Sequence, residues 1–305
     1  MWLPRPKFRD RVWLHVLLFA ATILTATYKG ADHYLGYLAD FKQLTELPLP
    51  LGALLVRGLW YSVTILAILG CHELGHYLAC RYYDVDASLP YFIPVPPPFF
   101  TGTLGAFIRI REPIPSKRML FDIGIAGPIA GFLVLVPALF IGLSMSHVVR
   151  IPSDAENLLE LGEPLLFKFA SWLLWGTQPA GYSLNMHPVA FAAWFGMLAT
   201  ALNLFPIGQL DGGHISYAVL GQRSTYVTFV MVAVAIGLAA FSTSWIVWTA
   251  LMVIMLFMFG PRHPRVYDED VPLDPGRRLL AAFALFMFIV CFTPAPIQPM
   301  ELIGR

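Results

Sequence analysis

Apolar runs of near-membrane length recur along this chain, at about 12–28, 57–80, 120–145, 187–206, 225–241, 244–260 and 278–296. A helix needs roughly 20 apolar residues to cross about 30 Å of hydrocarbon. Lipid offers the backbone no hydrogen bonds, so such runs form spanning helices that satisfy their own amides. The composition agrees: 13% of residues are charged and 57% hydrophobic, where soluble domains carry about 25% charge. The expected fold is therefore an all-α polytopic membrane protein of about seven transmembrane helices, forming one integral domain over 1–305. The lipid bilayer is its first partner. A net charge of +1, without a clustered basic face, gives no reason to invoke nucleic acid.

Charge asymmetry sets the expected topology. With the N-terminus inside, the inner segments hold Arg5, Lys7, Arg9 and Arg11, then Arg81, Arg109, Arg111, Lys117 and Arg118, then Arg223, Arg262, Arg265, Arg277 and Arg278. Only Lys29, Lys42, Arg57, Arg150, Lys168 and Arg305 fall outside, so the seven-span count gives a bias of 14 to 6 among the 20 cations. Losing a span would reverse the later loops and spoil it. The first run resembles a signal peptide, but this topology requires it as a retained helix, 12–28. The short N-terminus, with no transit-like leader, points to a prokaryotic cytoplasmic membrane.

The spans near 225–241 and 244–260 are short and separated only by Ser242-Thr243-Ser244. Leu165–Trp175, interrupted by Lys168, reads as an interfacial helix. The outer loop around it, with Asp154, Glu156, Glu160 and Glu163, is too short for a folded module of its own. No internal repeat supports an inverted-repeat transporter. Cys71, Cys80 and Cys291 show no metal-type spacing and read as packing residues.

Ionisable groups inside spans are costly and face functional interiors. The second span carries Cys71-His72-Glu73-Leu74-Gly75-His76. At i and i+4 of a helix, His72 and His76 share a face and can reach one metal. Glu73 is placed to act as general base toward a water held there. A catalytic zinc takes three protein ligands and keeps one position open. Asn203-Leu204-Phe205-Pro206-Ile207-Gly208-Gln209-Leu210-Asp211-Gly212-Gly213-His214, ending the fourth span, supplies Asp211 as the candidate third ligand. His214, three residues on, is the alternative. Both spans run from outside to inside, which puts the two half-sites at similar depth.

The paired HELGH and NLFPIGQLDGG motifs, in membrane context, resemble those of the site-2 protease family of intramembrane zinc metalloproteases. The likeness extends over about 57–222, through Gly102-Thr103-Leu104-Gly105 and Gly127-Pro128-Ile129-Ala130-Gly131. The C-terminal helices, 225–296, lie beyond it. The resemblance implies one Zn2+ per chain held by His72, His76 and Asp211, with Glu73 as the catalytic carboxylate and Asn203 stabilising the oxyanion. It implies transmembrane protein substrates cut within or near the bilayer, by extension in regulated intramembrane proteolysis. Nothing in the sequence sets an oligomeric state. A membrane metal-ion transporter or sensor using the same ligands is the competing reading, and a catalytically dead scaffold is a third.

Several residues carry smaller expectations. The stretch Tyr91–Phe100, followed by 101–110, is too proline-rich for a helix and reads as a re-entrant loop or hairpin. The resemblance implies a membrane-dipping β-hairpin, whose edge would hold an unwound substrate by strand addition or simply plug the cavity. Gly127 and Gly131 suggest close helix packing, and Asp122 a helix N-cap. Asp268, Glu269, Asp270 and Asp274 read as a solvated connector.

Overall fold

The computed structural model describes residues 6–42, 44, 46–97, 99–152, 159–260 and 264–299. Arg5, Arg262 and Arg305 of the charge count lie outside the described residues, as do Asp154, Glu156 and Pro98. The fold is mostly helical. Helix α1 spans Val12–Ala39, α2 Leu51–Tyr82 and α3 Lys117–Ser144; between α2 and α3 lie strands β1 (Tyr91–Pro94) and β2 (Thr103–Phe107). Strands β3 (His147–Arg150) and β4 (Leu159–Leu161) precede α4 (Leu165–Trp175), and β5 (Tyr182–Asn185) precedes α5 (Pro188–Asn203). Helix α6 (Asp211–Leu220) passes through a tight helical turn into α7 (Ser224–Phe241). Helices α8 (Ser244–Phe259) and α9 (Pro275–Cys291), then β6 (Ile297–Pro299), complete the described chain.

Four helical segments among the described residues are long and apolar enough to cross a membrane: Val12–Ala39, Leu51–Tyr82, Lys117–Ser144 and Asp211–Phe241. The expected runs at 187–206, 244–260 and 278–296 form the shorter helices α5, α8 and α9, of 16, 16 and 17 residues. At 1.5 Å per residue these measure about 24–26 Å. Helix α1 continues 11 residues past the expected end at 28, because nothing in 29–39 breaks it. Lys29 pairs with Asp32 at 2.8 Å, and the helix stops only where Asp40 turns left-handed at φ 48°. Large apolar side chains point outward, Leu24 being 73% exposed and Leu133 69%. A water-soluble protein rarely shows so much of this surface.

The core lies where α2, α3 and α5 meet. Phe121, Leu135, Leu139 and Leu143 of α3 and Trp194 and Met197 of α5 are all buried there. The N-cap of α3 is Ser116, whose hydroxyl accepts from the Arg118 N–H. That corrects the expectation for Asp122, which lies more than a turn inside the helix and pairs with Arg277 instead (Nε–Oδ1 2.9 Å). Nor is the 268–274 segment simply solvated. Asp268 accepts from the Lys117 N–H (2.6 Å) and the Ser116 hydroxyl (2.8 Å), and Asp274 caps α9.

Among the described residues six short strands form three two-stranded sheets, β1–β2, β3–β5 and β4–β6, of which the last two depart from the expectation. The first is the expected hairpin, antiparallel with Tyr91 opposite Phe107 and Phe92 opposite Ala106. Its tip is strapped to the helices: Thr25 Oγ1 donates to the Gly102 carbonyl (2.6 Å) and Tyr61 Oη to that of Thr101 (3.0 Å). Gly102 has φ +67°, and a Cβ there would lie 2.6 Å from the Thr25 carbonyl oxygen. Only glycine allows this approach.

Candidate metal centre

His72 and His76 project from α2 toward α3, as their spacing requires. A Cβ on Gly127 would lie 2.1 Å from His76 Nε2, and one on Gly131 would lie 3.2 Å from His72 Cβ. The two glycines therefore do more than let helices pack closely, because they leave the volume that the imidazoles occupy. Asp211 arrives from another element. Helix α5 ends at Asn203, the chain breaks direction through 204–210, and α6 begins at Asp211. The carboxylate thus sits on the first turn of a separate helix rather than at the end of the one that ends at Asn203.

The three donors converge. His72 Nε2 lies 3.1 Å from His76 Nε2 and 3.1 Å from Asp211 Oδ2, and the His76–Asp211 separation is 3.3 Å. All are secluded: His72, Glu73 and His76 are buried, and the Asp211 side chain is 15% exposed. The His76 Nδ1 faces the Ile123 carbonyl oxygen at 2.7 Å. That oxygen can only accept, so Nδ1 carries the hydrogen and Nε2 presents a lone pair. A lone pair aimed at a carboxylate is repulsive in a low-dielectric interior unless a proton or cation lies between them.

Tetrahedral zinc with bonds of 2.0–2.1 Å holds its donors about 3.3 Å apart. The observed separations and the N,N,O donor set fit that ion. Among the described residues, His72, His76 and Asp211 are the one group of this kind, with all donor atoms within 4.8 Å of one another. His214 is not in it. Glu73 Oε1 stands 3.9 Å from His72 Nε2, and Asn203 Nδ2 lies 3.2 Å from the same nitrogen. All five residues singled out in the sequence are thus brought together. Cys80 is buried with Val85, Ala87 and Ile123 as packing.

The profile of peptidase family M50 matches residues 60–244. The chain belongs to that family. Its four long apolar helices and that membership together make it an integral membrane protein. A rice protein (Oryza sativa subsp. indica) described as probable zinc metalloprotease EGY2, chloroplastic, is 29% identical over 82% of this chain and 45% of its own length. The Arabidopsis thaliana protein of the same description is 31% identical over 80% of this chain and 43% of its own. Another from Arabidopsis thaliana, probable zinc metalloprotease EGY1, chloroplastic, is 28% identical over 79% and 43%. The chain therefore spans less than half the length of these relatives. No solved structure matches it.

One contact escaped the sequence reading because a backbone atom makes it, the Ile123 carbonyl on His76. It does not depend on residue type, so no motif announces it.

Proposed function

We propose that this chain is a zinc-dependent intramembrane endopeptidase that hydrolyses peptide bonds in or near transmembrane segments of other membrane proteins. The observation that carries it is the buried triangle of His72, His76 and Asp211 donors with an acidic residue, Glu73, alongside. His72, His76 and Asp211 would hold one zinc per chain. When bound, zinc supplies a Lewis acid that acidifies water and polarises a carbonyl. Glu73, in the water-poor pocket, takes the proton from the attacking water and passes it to the departing amine. The Asn203 amide donates to the oxyanion, an interaction worth roughly 3–4 kcal/mol where such donors have been removed. The relatives' printed description as probable zinc metalloproteases supports this reading.

The hairpin supplies the substrate platform. Among the described residues strand β2 pairs only with β1, and Leu104 on it is 63% exposed. The strand leads directly to Ile108, which lies close to the Glu73 carboxylate. A substrate helix hides its peptide bonds, so it must unwind. Its extended segment can then add along β2 and reach the base. In the bilayer we place the chain as a single domain over 1–305 with about seven spans and the hairpin dipping in as a re-entrant element. The metal centre lies nearer the Arg81 end of α2, the arginine- and lysine-rich side, and opens toward it.

Membranes from cells expressing the wild type or Glu73→Gln, compared by quantitative proteomics of intact and truncated membrane proteins, test this reading. A protein that accumulates intact only with the variant supports it and names the substrate. Identical profiles from two zinc-loaded proteins expressed with candidate substrates would reject it.

A further inference from the structure

Helix α3 is the surface on which the whole centre rests. Its Ile123 carbonyl holds His76, Gly127 faces the His76 ring, and Gly131 faces His72. A Cβ on Gly124 would lie 3.8 Å from the Asp211 carbonyl oxygen, so α6 packs there too. The depth and rotation of α3 therefore set the metal geometry. One residue before Ile123 stands Asp122. Arg277, in the first turn of α9, grips it with two parallel bonds, Nε–Oδ1 at 2.9 Å and Nη2–Oδ2 at 2.5 Å. The third arm of the same guanidinium bonds Asp274, the N-cap of α9 (Nη1–Oδ2 2.5 Å). Tyr83, just past the end of α2, donates its hydroxyl to Asp122 as well. One carboxylate thus ties the helix bearing the histidines, the helix supporting them, and α9, which contributes nothing to the centre itself.

We infer that Arg277 is a positioning residue for the metal centre: its bidentate grip on Asp122 fixes α3 so that the Ile123 carbonyl stays on His76 Nδ1. The inference rests on the reading that His72, His76 and Asp211 bind zinc. Partners that orient a ligating imidazole commonly change metal affinity ten- to hundredfold when removed. An ammonium cannot reproduce the two-pronged geometry of a guanidinium, so lysine restores the charge without the grip.

Arg278 provides the control. It lies on the same turn and carries the same charge, but it bonds the Leu273 carbonyl (2.9 Å) and not α3. Zinc affinity of the full chain in detergent is measured by competition with a chromophoric chelator. It is measured for the wild type, Arg277→Gln, Arg277→Lys and Arg278→Gln, with melting temperatures alongside. The d–d spectrum of each folded protein loaded with Co2+ reads the ligand geometry independently of affinity.

The expected result is affinity about tenfold weaker for Arg277→Gln, an intermediate loss for Arg277→Lys, and an altered Co2+ spectrum in both. Arg278→Gln should match the wild type. Wild-type affinity and spectrum in folded Arg277→Gln and Arg277→Lys would overturn the positioning role while leaving the zinc reading intact. So would an equal loss in Arg278→Gln. A wild type that binds no zinc would overturn both.

Discussion

The Nδ1 of His76 lies 2.7 Å from the carbonyl oxygen of Ile123, across the interface between α2 and α3. This contact fixes which nitrogen carries hydrogen, and so turns the Nε2 lone pair toward Asp211 Oδ2 at 3.3 Å. A ring free to rotate or to change tautomer would offer no such fixed donor. The backbone of one helix thereby orients the imidazole that we propose as a metal ligand on another.

Asp211→Ala should lose zinc. The variant removes one corner of the donor triangle and leaves two imidazoles, 3.1 Å apart, as the remaining pair. The affinity loss should exceed the ten- to hundredfold typical of an orienting partner. Metal content of the purified protein by plasma emission spectroscopy reads it. Stoichiometric zinc in the folded variant would reject Asp211 as a ligand.

Gly127→Ala should damage the centre as surely as removing a ligand. Its added Cβ would fall 2.1 Å from His76 Nε2 and 2.4 Å from Cδ2, inside any tolerable contact, so the imidazole must swing away. Zinc binding should fall sharply. Gly36→Ala, on α1 with nothing within 4 Å of the new methyl, should bind as the wild type and gain slightly in helix propensity. Equal zinc affinity in both variants would show that the ring has room the structure does not give it.

What was legible in the sequence was carried by side-chain type. Two histidines at helical spacing and an aspartate beside a helix break mark a candidate metal centre because few residues ligate and few positions allow them together. The prolines at 94, 96 and 97 excluded a helix there, but they left loop and hairpin open, and only the family resemblance favoured the hairpin. The α1 extension was not legible, since Lys29 and Asp32 look like an end until they are seen to pair. Asp122 was misread as a cap because its partner, Arg277, lies 155 residues away. The double use of Gly127 and Gly131 was hidden because small residues signal proximity without saying what comes near.

The contact of Asp268 with the start of α3 should give stability a dependence on acid pH. Partial burial pushes its carboxyl upward, but bonds from the Lys117 N–H and the Ser116 hydroxyl outweigh this and hold it below its ordinary 3.8. A depressed carboxyl adds stability above its unfolded value and loses it as pH falls through the folded one. Asp268→Asn should therefore melt lower than the wild type near pH 7, and the gap should close below about pH 4. Melting curves in detergent at both pH values decide it; a gap independent of pH would show that charge is not involved.

Asn203→Ala should separate catalysis from metal binding. The amide closes α5 and lies 3.2 Å from His72 Nε2, at the edge of the donor triangle but outside it. It holds no metal, so zinc content should stay at wild-type level. In the proposed reaction its N–H donates to the oxyanion that develops on the scissile carbonyl, and losing such a donor lowers kcat by about 10²–10³. KM should change little, since the ground-state carbonyl gains less from the bond than the oxyanion does. Asn203→Asp, similar in size but without the donor, should be at least as slow. Cleavage of a reconstituted single-span substrate gives kcat and KM for each variant. A fall in zinc content parallel to the fall in rate would instead make Asn203 a support for His72, acting through the metal rather than on the substrate.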